Sequence, residues 1–206
     1  MPISFPVSIQ TFNVNSGPKK VVFYPQVCFL HNHSLKQLIN QAIVFETQQL
    51  IYTQVGNMPS TVAEMLGSYE IKNNQRDVLS LSLLNYTYHD RAAHGMTYIK
   101  SLTFDLEKGS SIQLKDLFKS GSDYIGRIST IIQEQIKERD IQLLEPFNQI
   151  RPDQDFYIAD KTLVVYFQLY EITPYVYGLP MFPISVYDLQ DIVKEDGPLG
   201  RMAQNG

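Results

Sequence analysis

Four histidines and one cysteine are the side chains here best suited to holding a metal or attacking a substrate. His31 and His33 flank Asn32, so in an extended segment both imidazoles point to one side. A zinc site would need a third and a fourth ligand, and His89, Asp90 and His94 are the candidates from another strand end. The plainer reading places all four histidines in surface loops, and neither a metal nor a cofactor is expected. Cys28 lies close enough to His31 for a nucleophile and its base. Its place in the apolar run Val27-Cys28-Phe29 points instead to a packed small hydrophobe. Asp105 and Glu107 share a strand face, as a glycosidase pair would, but acids beside a turn are read here as solvated. Asp116 is read as starting or capping a turn. The chain contains no G-x-S-x-G, no P-loop, no Rossmann glycine pattern and no paired C-x-x-C. No residue is assigned a catalytic role, and the chain reads as a non-enzyme.

The stretch Phe156–Pro183 has a different character. Phe156–Ile158 and Leu163–Leu169 are apolar runs flanking Ala159-Asp160-Lys161-Thr162, a strand-turn-strand pattern. In the second run Leu163, Val165, Phe167 and Leu169 share one face, and Val164, Tyr166, Gln168 and Tyr170 the other. This predicts a central strand with helices on one side. Then comes a segment, Pro174 to Pro183, with three prolines, a glycine and three aromatics, which forbids a long helix. Tyr175 and Phe182 could pack beneath it, and Tyr177 beside Gly178 is expected at an exposed tip. Tyrosines held between rigid prolines lose little entropy on binding and bury much area. Tyr170, Pro174, Tyr175, Tyr177, Gly178 and Pro180 are therefore the candidate ligand-binding residues.

The elements that position them follow from periodicity. An opening strand is expected over Ile3–Asn15, then a turn at Asn15–Pro18 and a second strand Val21–Leu30 that Pro25 breaks or places at an edge. Ser34 is the expected N-cap of a helix running to Gln54, with Leu35, Leu38, Ile39, Ala42, Ile43, Glu46 and Leu50 on its inner face and a Gln/Asn/Thr outer face. Strands Met65–Lys72 and Val78–His89 are expected around a turn at Asn73–Arg76, and Met96–Leu106 after the loop Asp90–Gly95. Leu114–Phe118 reads as one helical turn. Ser122 is expected to cap a second helix, Asp123–Arg139, with Ile125, Ile128, Ile131, Ile132, Gln135 and Ile136 inward. Tyr187–Val193 reads as a short closing helix and the tail from Lys194 as disordered. The result is an α+β chain of two subdomains, residues 1–91 and 92–206, each with one long helix packed on a mainly antiparallel sheet.

Bulk properties agree with a folded globule: 206 residues, 44% hydrophobic and 18% charged, without low-complexity tracts. A net charge of −4 with scattered cations gives no basic stripe, so no nucleic-acid partner is expected. No apolar run approaches the roughly 18 residues that span a bilayer. Met1–Gln10 lacks the regions of a signal peptide, which leaves a cytoplasmic location open. The single cysteine excludes an internal disulfide, and nothing in the sequence sets the oligomeric state.

Two motifs add a family resemblance. Phe104-Asp105-Leu106 with Lys108-Gly109 and Leu114–Phe118 resembles one signature. Phe156-Tyr157, Asp160-Lys161, Leu163–Phe167, Tyr170-Glu171-Ile172 and Pro174-Tyr175 through Gly178 resemble its companion. Together they are similar to the C-terminal domain in the ectodomain of the lysozyme-binding anti-sigma-V factors, over roughly Ala92–Val193. Tyr24–Val27 with Ile39-Asn40 resembles the domain that precedes it, also found ahead of peptidoglycan deacetylase catalytic domains. The resemblance implies a non-catalytic, extracytoplasmic bacterial module that recognises a lysozyme-like protein or another cell-envelope ligand. Val176-Tyr177 departs from it, since small residues are usual there. The alternative is a cell-wall glycan hydrolase or deacetylase-associated enzyme, which needs carboxylates, or a histidine with a carboxylate, converging in a cleft.

Overall fold

The stretches that alternate in hydrophobicity with period two fold as strands. The structure, a computed structural model, describes residues 5–204, so the part of the expected opening strand at Ile3 lies outside the described residues. β1 (Ser8–Asn15), β2 (Lys20–Phe29), β3 (Val62–Gln75), β4 (Val78–His89), β5 (Met96–Asp105) and β6 (Ser110–Ser111) form one sheet in sequence order. All neighbours are antiparallel except β2 and β3, which pair in parallel over Lys20–Val22 and Met65–Gly67. A parallel pair needs a crossover, and the helix α1 (His33–Val55) supplies it. After α2 (Tyr124–Glu138), β7 (Phe156–Ala159), β8 (Thr162–Tyr166) and β9 (Met181–Ser185) make a second, antiparallel sheet with β8 in the middle. The architecture is α+β, with one long helix on each sheet. The expected division between residues 91 and 92 falls between β4 and β5, within the six-stranded sheet.

Core packing follows the alternation. Leu79, Leu81 and Leu83 of β4 and Phe104 of β5 are buried with Leu35, Ile39 and Ile43 of α1. Ser80, Leu84, Ile99 and Thr103 lie on the opposite face, which receives the second sheet. There Tyr157, Val164 and Tyr166 pack on Ile99, and the Ile158 N–H donates to Ser80 Oγ at 3.0 Å. The other face of the small sheet, with Ile158, Leu163, Val165 and Phe182, packs with Ile128 and Ile132 of α2. A face toward helix and a face toward sheet make β8 apolar on both sides.

Several local expectations are corrected. Asn32, not Ser34, caps α1, its Oδ1 accepting from Leu35 N at 3.0 Å. Asp123, not Ser122, caps α2 by accepting from Gly126 N at 2.9 Å. In both cases a carboxylate or amide oxygen reaches the free N–H three residues on. The β3–β4 turn is at Arg76-Asp77, both with positive φ, and Asn73 lies inside β3, its amide donating to the Gln75 and Val78 carbonyls. Pro25 does not break β2, whose outer edge is open beyond Val22. Val27 turns its N–H and C=O to that edge, so Pro25, two residues away, points its missing donor the same way. Cys28 is exposed, its thiol donating to the Ser8 carbonyl at 3.3 Å. Leu38 is exposed as well. β8 stops at Tyr166, so Leu169 is in a loop.

The largest correction is the tail. Far from disordered, α3 (Pro198–Ala203) buries Leu199 and Met202 completely in the α2-side core. A side chain at position 200 would meet the Glu195 carbonyl at 2.2 Å, so Gly200 permits the close approach. Arg201 reaches the end of β5, donating from Nη2 to Asp105 Oδ1 at 2.7 Å and from Nη1 to Glu107 at 3.0 Å. Asp105 is therefore fully buried rather than solvated, and it also accepts from the Glu107 and Lys108 amides, both at 3.1 Å. Arg76 completes the clasp by donating to the Arg201 carbonyl at 2.7 Å.

Removing one partner of a buried pair strands the other charge, at about 3 kcal/mol or more. Arg201→Ala should thus lower unfolding free energy by about 3 kcal/mol, read from the urea midpoint at constant m-value. An unchanged midpoint would show that the tail is not held through Asp105.

Candidate functional site

Between β8 and β9 the chain leaves the sheet and makes an irregular loop, Phe167–Pro180, whose base is closed by the Phe167 N–H donating to the Pro180 carbonyl at 3.0 Å. Gln168 ties this loop to the large sheet. Its side-chain amide accepts from Ile99 N at 3.2 Å and donates to Ile99 O at 2.8 Å, filling the open outer edge of β5. Glu171 braces the corner by accepting from Gln168 N at 2.7 Å while pairing with Arg151. Tyr170, between them, has φ +64°. That left-handed conformation costs a bulky residue roughly 1–2 kcal/mol and persists only where surroundings impose it. Pro174 then starts a 3-10 turn over Tyr175–Tyr177, and Gly178 ends it at φ +67°.

The surroundings that impose it come from the β4–β5 loop. Gly95 O lies 3.0 Å from His94 Nδ1. A carbonyl can only accept, so Nδ1 carries the hydrogen, and in the neutral ring Nε2 accepts from the Tyr170 hydroxyl at 3.0 Å. Tyr175 stacks on the His94 ring at 4.1 Å and donates its hydroxyl to the Gly95 carbonyl at 3.1 Å. Tyr170 and Tyr175 lie 5.7 Å apart, tilted by 32°. Both hydroxyls are thus hydrogen-bonded to the β4–β5 loop, while the residues themselves stay exposed, Tyr170 at 44% and Tyr175 at 37%.

These rings open into a hollow of about 870 Å³. Of the candidate binding residues, Tyr170, Pro174, Tyr175 and Gly178 line it, joined by Thr97, Leu169, Val176 and Leu179. No charged side chain is among them. Tyr177 and Pro180 lie outside this lining. Tyr177 is exposed, its hydroxyl accepting from Gln142 N at 3.1 Å, but the tip belongs to Val176, 85% exposed. Pro180 is buried at the loop base. His94 and Thr97 were not among the candidate binding residues. They are about 75 positions from Tyr170 in sequence, and no local spacing announces that contact.

The other chemical candidates are dispersed. His89 is bonded to Thr61 Oγ1 and to the Gln54 carbonyl, both at 2.7 Å, and the His31 ring packs edge-on against Phe29 at 5.2 Å. Among the described residues no group of three or more His, Cys, Asp or Glu is placed to hold a metal. Asp116 is where expected, accepting from Gln113 N at 2.9 Å to start a 3-10 turn. Carboxylates do converge in a smaller cleft of about 280 Å³, where Glu46, Asp153 and Asp155 surround Lys100. Lys100 Nζ lies 2.9 Å from Asp155 Oδ1. Burial alone would pull the ammonium down, but Asp155, helped by Glu46 and Asp153, outweighs it and holds the pKa above the ordinary lysine value.

The comparisons with known proteins agree with the two motifs. Residues 115–187 match the family model described as "Protein of unknown function (DUF3298)". The chain is 31% identical over 172 residues to the anti-sigma-V factor RsiV of Bacillus subtilis, covering 78% of this chain and 60% of that protein. It is 25% identical over 139 residues to the peptidoglycan-N-acetylmuramic acid deacetylase PdaC of the same organism, covering 64% of this chain and 30% of that one. The chain thus spans less than two thirds of either relative. A crystal structure of a DUF3298 family member from Bacteroides fragilis shares the fold with TM-score 0.71 at 14% identity, covering 98% of this chain and 99% of that one. One from Pseudomonas aeruginosa gives TM-score 0.70 at 14% identity, covering 98% of each chain.

Two outcomes test the geometry. Glycine tolerates positive φ and alanine does not, so Tyr170→Gly should be more stable than Tyr170→Ala by about 1 kcal/mol, although both lose the ring; equal denaturation midpoints would argue against strain at this position. For Lys100, a raised folded-state pKa means a stabilisation complete below the unfolded value and lost as pH rises through the folded one. The gap in Tm between wild type and Lys100→Met should stay constant from about pH 7 to 10 and close above about 10.4. A gap already closed at pH 8 would count against the pair.

Proposed function

We propose that this chain is a non-catalytic binding module of a bacterial protein, taking a protein or another cell-envelope ligand in the hollow of the Phe167–Pro180 loop. The observation that carries this reading is the pair of exposed tyrosine rings, whose hydroxyls are hydrogen-bonded to His94 and Gly95 and one of which stacks on His94. Preorganised aromatic area loses little side-chain entropy on binding. Tyr170, Pro174, Tyr175 and Gly178 form the contact surface, while Tyr177 and Pro180 set the loop's shape. Similarity to an anti-sigma-V factor and to a peptidoglycan deacetylase supports an extracytoplasmic role, and the resemblance makes a lysozyme-like protein the first ligand to try. Among the described residues no helix is long and apolar enough to cross a membrane.

The test starts with purified protein against lysozyme and against peptidoglycan, followed by titration. Tyr175→Ala should weaken binding about thirtyfold, the roughly 2 kcal/mol of a central tyrosine anchor, in a protein that remains folded by circular dichroism. Tyr177→Phe, which loses only the bond from Gln142, should bind nearly as wild type. Undiminished affinity in Tyr175→Ala would move the site elsewhere.

The cleft of Glu46, Asp153 and Asp155 favours one rival, glycan hydrolysis. Asp155 is bound there by Lys100, with Gln168 Nε2 3.4 Å from its second oxygen. A carboxylate held this way serves the junction between β5 and the loop before β7. Release of reducing ends from peptidoglycan by wild type but not by Asp155→Asn would replace the binding reading with the enzymatic one.

A further inference from the structure

Along the outer edge of β5 one position is left unfilled. Ile99 gives its N–H and C=O to the Gln168 amide, and the Thr103 C=O accepts from the Ile112 N–H at 2.8 Å. In an antiparallel pair, successive residues point these groups alternately at the neighbouring strand and away from it. Ser101, midway between Ile99 and Thr103 and opposite Ser82 of β4, therefore points both of its groups outward as well. No hydrogen bond from the described residues meets either of them.

That position opens into the cleft of about 280 Å³, whose lining includes Ser101, Lys100, Glu46, Asp153 and Asp155. Further polar groups are stranded at the same place. Ser101 Oγ is buried with no partner among the described residues, and so is the hydroxyl of Tyr166, a residue with no exposure. The Tyr166 hydroxyl faces Ser101 Oγ and N–H without a hydrogen bond to either. Burial pushes its pKa far up, and Ser101 offsets this only in part. Native proteins leave few such groups unpaired, and four at one spot call for an occupant.

We propose that the occupant is a primary carboxamide, as on a glutamine side chain or an amidated peptide terminus, pairing with Ser101 as Gln168 pairs with Ile99. Its oxygen accepts from the Ser101 N–H and the Tyr166 hydroxyl, one N–H donates to the Ser101 carbonyl, and the other faces the acids of the cleft. An added strand does not fit, because the outward positions on either side, Ile99 and Thr103, are already taken. The acetamido group of a sugar does not fit either. As a trans secondary amide it points its N–H and C=O in opposite directions, while both must point at Ser101. A carboxylate of the same shape has no donor for the Ser101 carbonyl, and it meets Glu46, Asp153 and Asp155 against the single Lys100. The site thus separates an amide from the acid it hydrolyses to. Its lining shares no residue with the tyrosine hollow, so it stands or falls independently of the binding reading.

Titration of isotope-labelled protein, followed by NMR residue by residue, reads the site directly. N-acetylglutamine N-methylamide and N-acetylalaninamide are the probes, one for each source of carboxamide, with N-acetylglutamate N-methylamide and N-acetylalanine as their acid controls. At least one carboxamide should move the Ser101 N–H downfield and saturate with a dissociation constant of about 1 mM, the affinity so small a ligand can supply. The tighter of the two assigns the source. The acids and N-acetylglucosamine should leave Ser101 unmoved, and the Tyr170 and Tyr175 amides should stay in place throughout. Tyr166→Phe, which keeps the ring and loses only the hydroxyl, should raise the dissociation constant about fivefold. A Ser101 N–H that neither carboxamide moves, an equal response to an acid or to the sugar, or an unchanged constant in Tyr166→Phe would each overturn the proposal.

Discussion

An open sheet edge leaves backbone donors and acceptors that must be satisfied once they are covered, and in this protein amide side chains meet that constraint. Asn40 fills the outer edge of β2 at Val27. Asn74 holds the chain before β1 by accepting from Val7 N at 3.2 Å and donating to Val7 O at 2.9 Å. Gln168 does the same at Ile99 on β5. An amide carries a donor and an acceptor in one plane, so it imitates the missing neighbouring strand. Each clamp also sets something larger. Asn40 docks α1, and Gln168 fixes the loop that carries the tyrosines. Between the sheets Ser80 accepts from Ile158 and pairs with Thr103 at 2.8 Å, so the same solution seats one sheet upon the other.

The ends of the two halves meet at Asp105. A carboxylate with no exposure would be prohibitively costly alone, but this one gathers two backbone amides and the Arg201 guanidinium. Because Arg201 rides on α3, whose Leu199 and Met202 belong to the second core, one ion pair joins the first sheet to the second hydrophobic cluster. The tail is thus a structural member of both halves, and Arg76 capping its last turn makes the β3–β4 hairpin the third party to the joint.

Rigidity at the tyrosine loop has the same origin. Tyr170 is strained, and the groups around it are hydrogen-bonded in turn: His94 to Gly95, Gln168 to β5, Glu171 to Arg151. The two rings are thereby already placed. In the Lys100 cleft, by contrast, Asp155 is held by Lys100 and faces the Gln168 amide, as a supporting joint requires.

Much of this was legible locally. Period-two runs separated β3, β4, β5, β7 and β8, and 3.6-residue spacing identified both long helices, because alternation and amphipathicity are properties of neighbouring residues. The α+β class followed from that order, and the motif residues Tyr170, Pro174, Tyr175 and Gly178 were recognisable by type and spacing. Tertiary structure alone decided what those residues face. His94 is the surface-loop histidine its surroundings announced, but only the fold stacks Tyr175 on it, and Asp105 looked like a solvated turn acid until Arg201 reached it from 96 positions away. The tail looked disordered because Gly197-Pro198, Gly200 and the polar residues around them carry no periodic signal over so short a helix. Its order comes from Leu199, Met202 and Arg201 finding partners distant in sequence, and a contact of that range leaves no trace in the spacing of adjacent side chains.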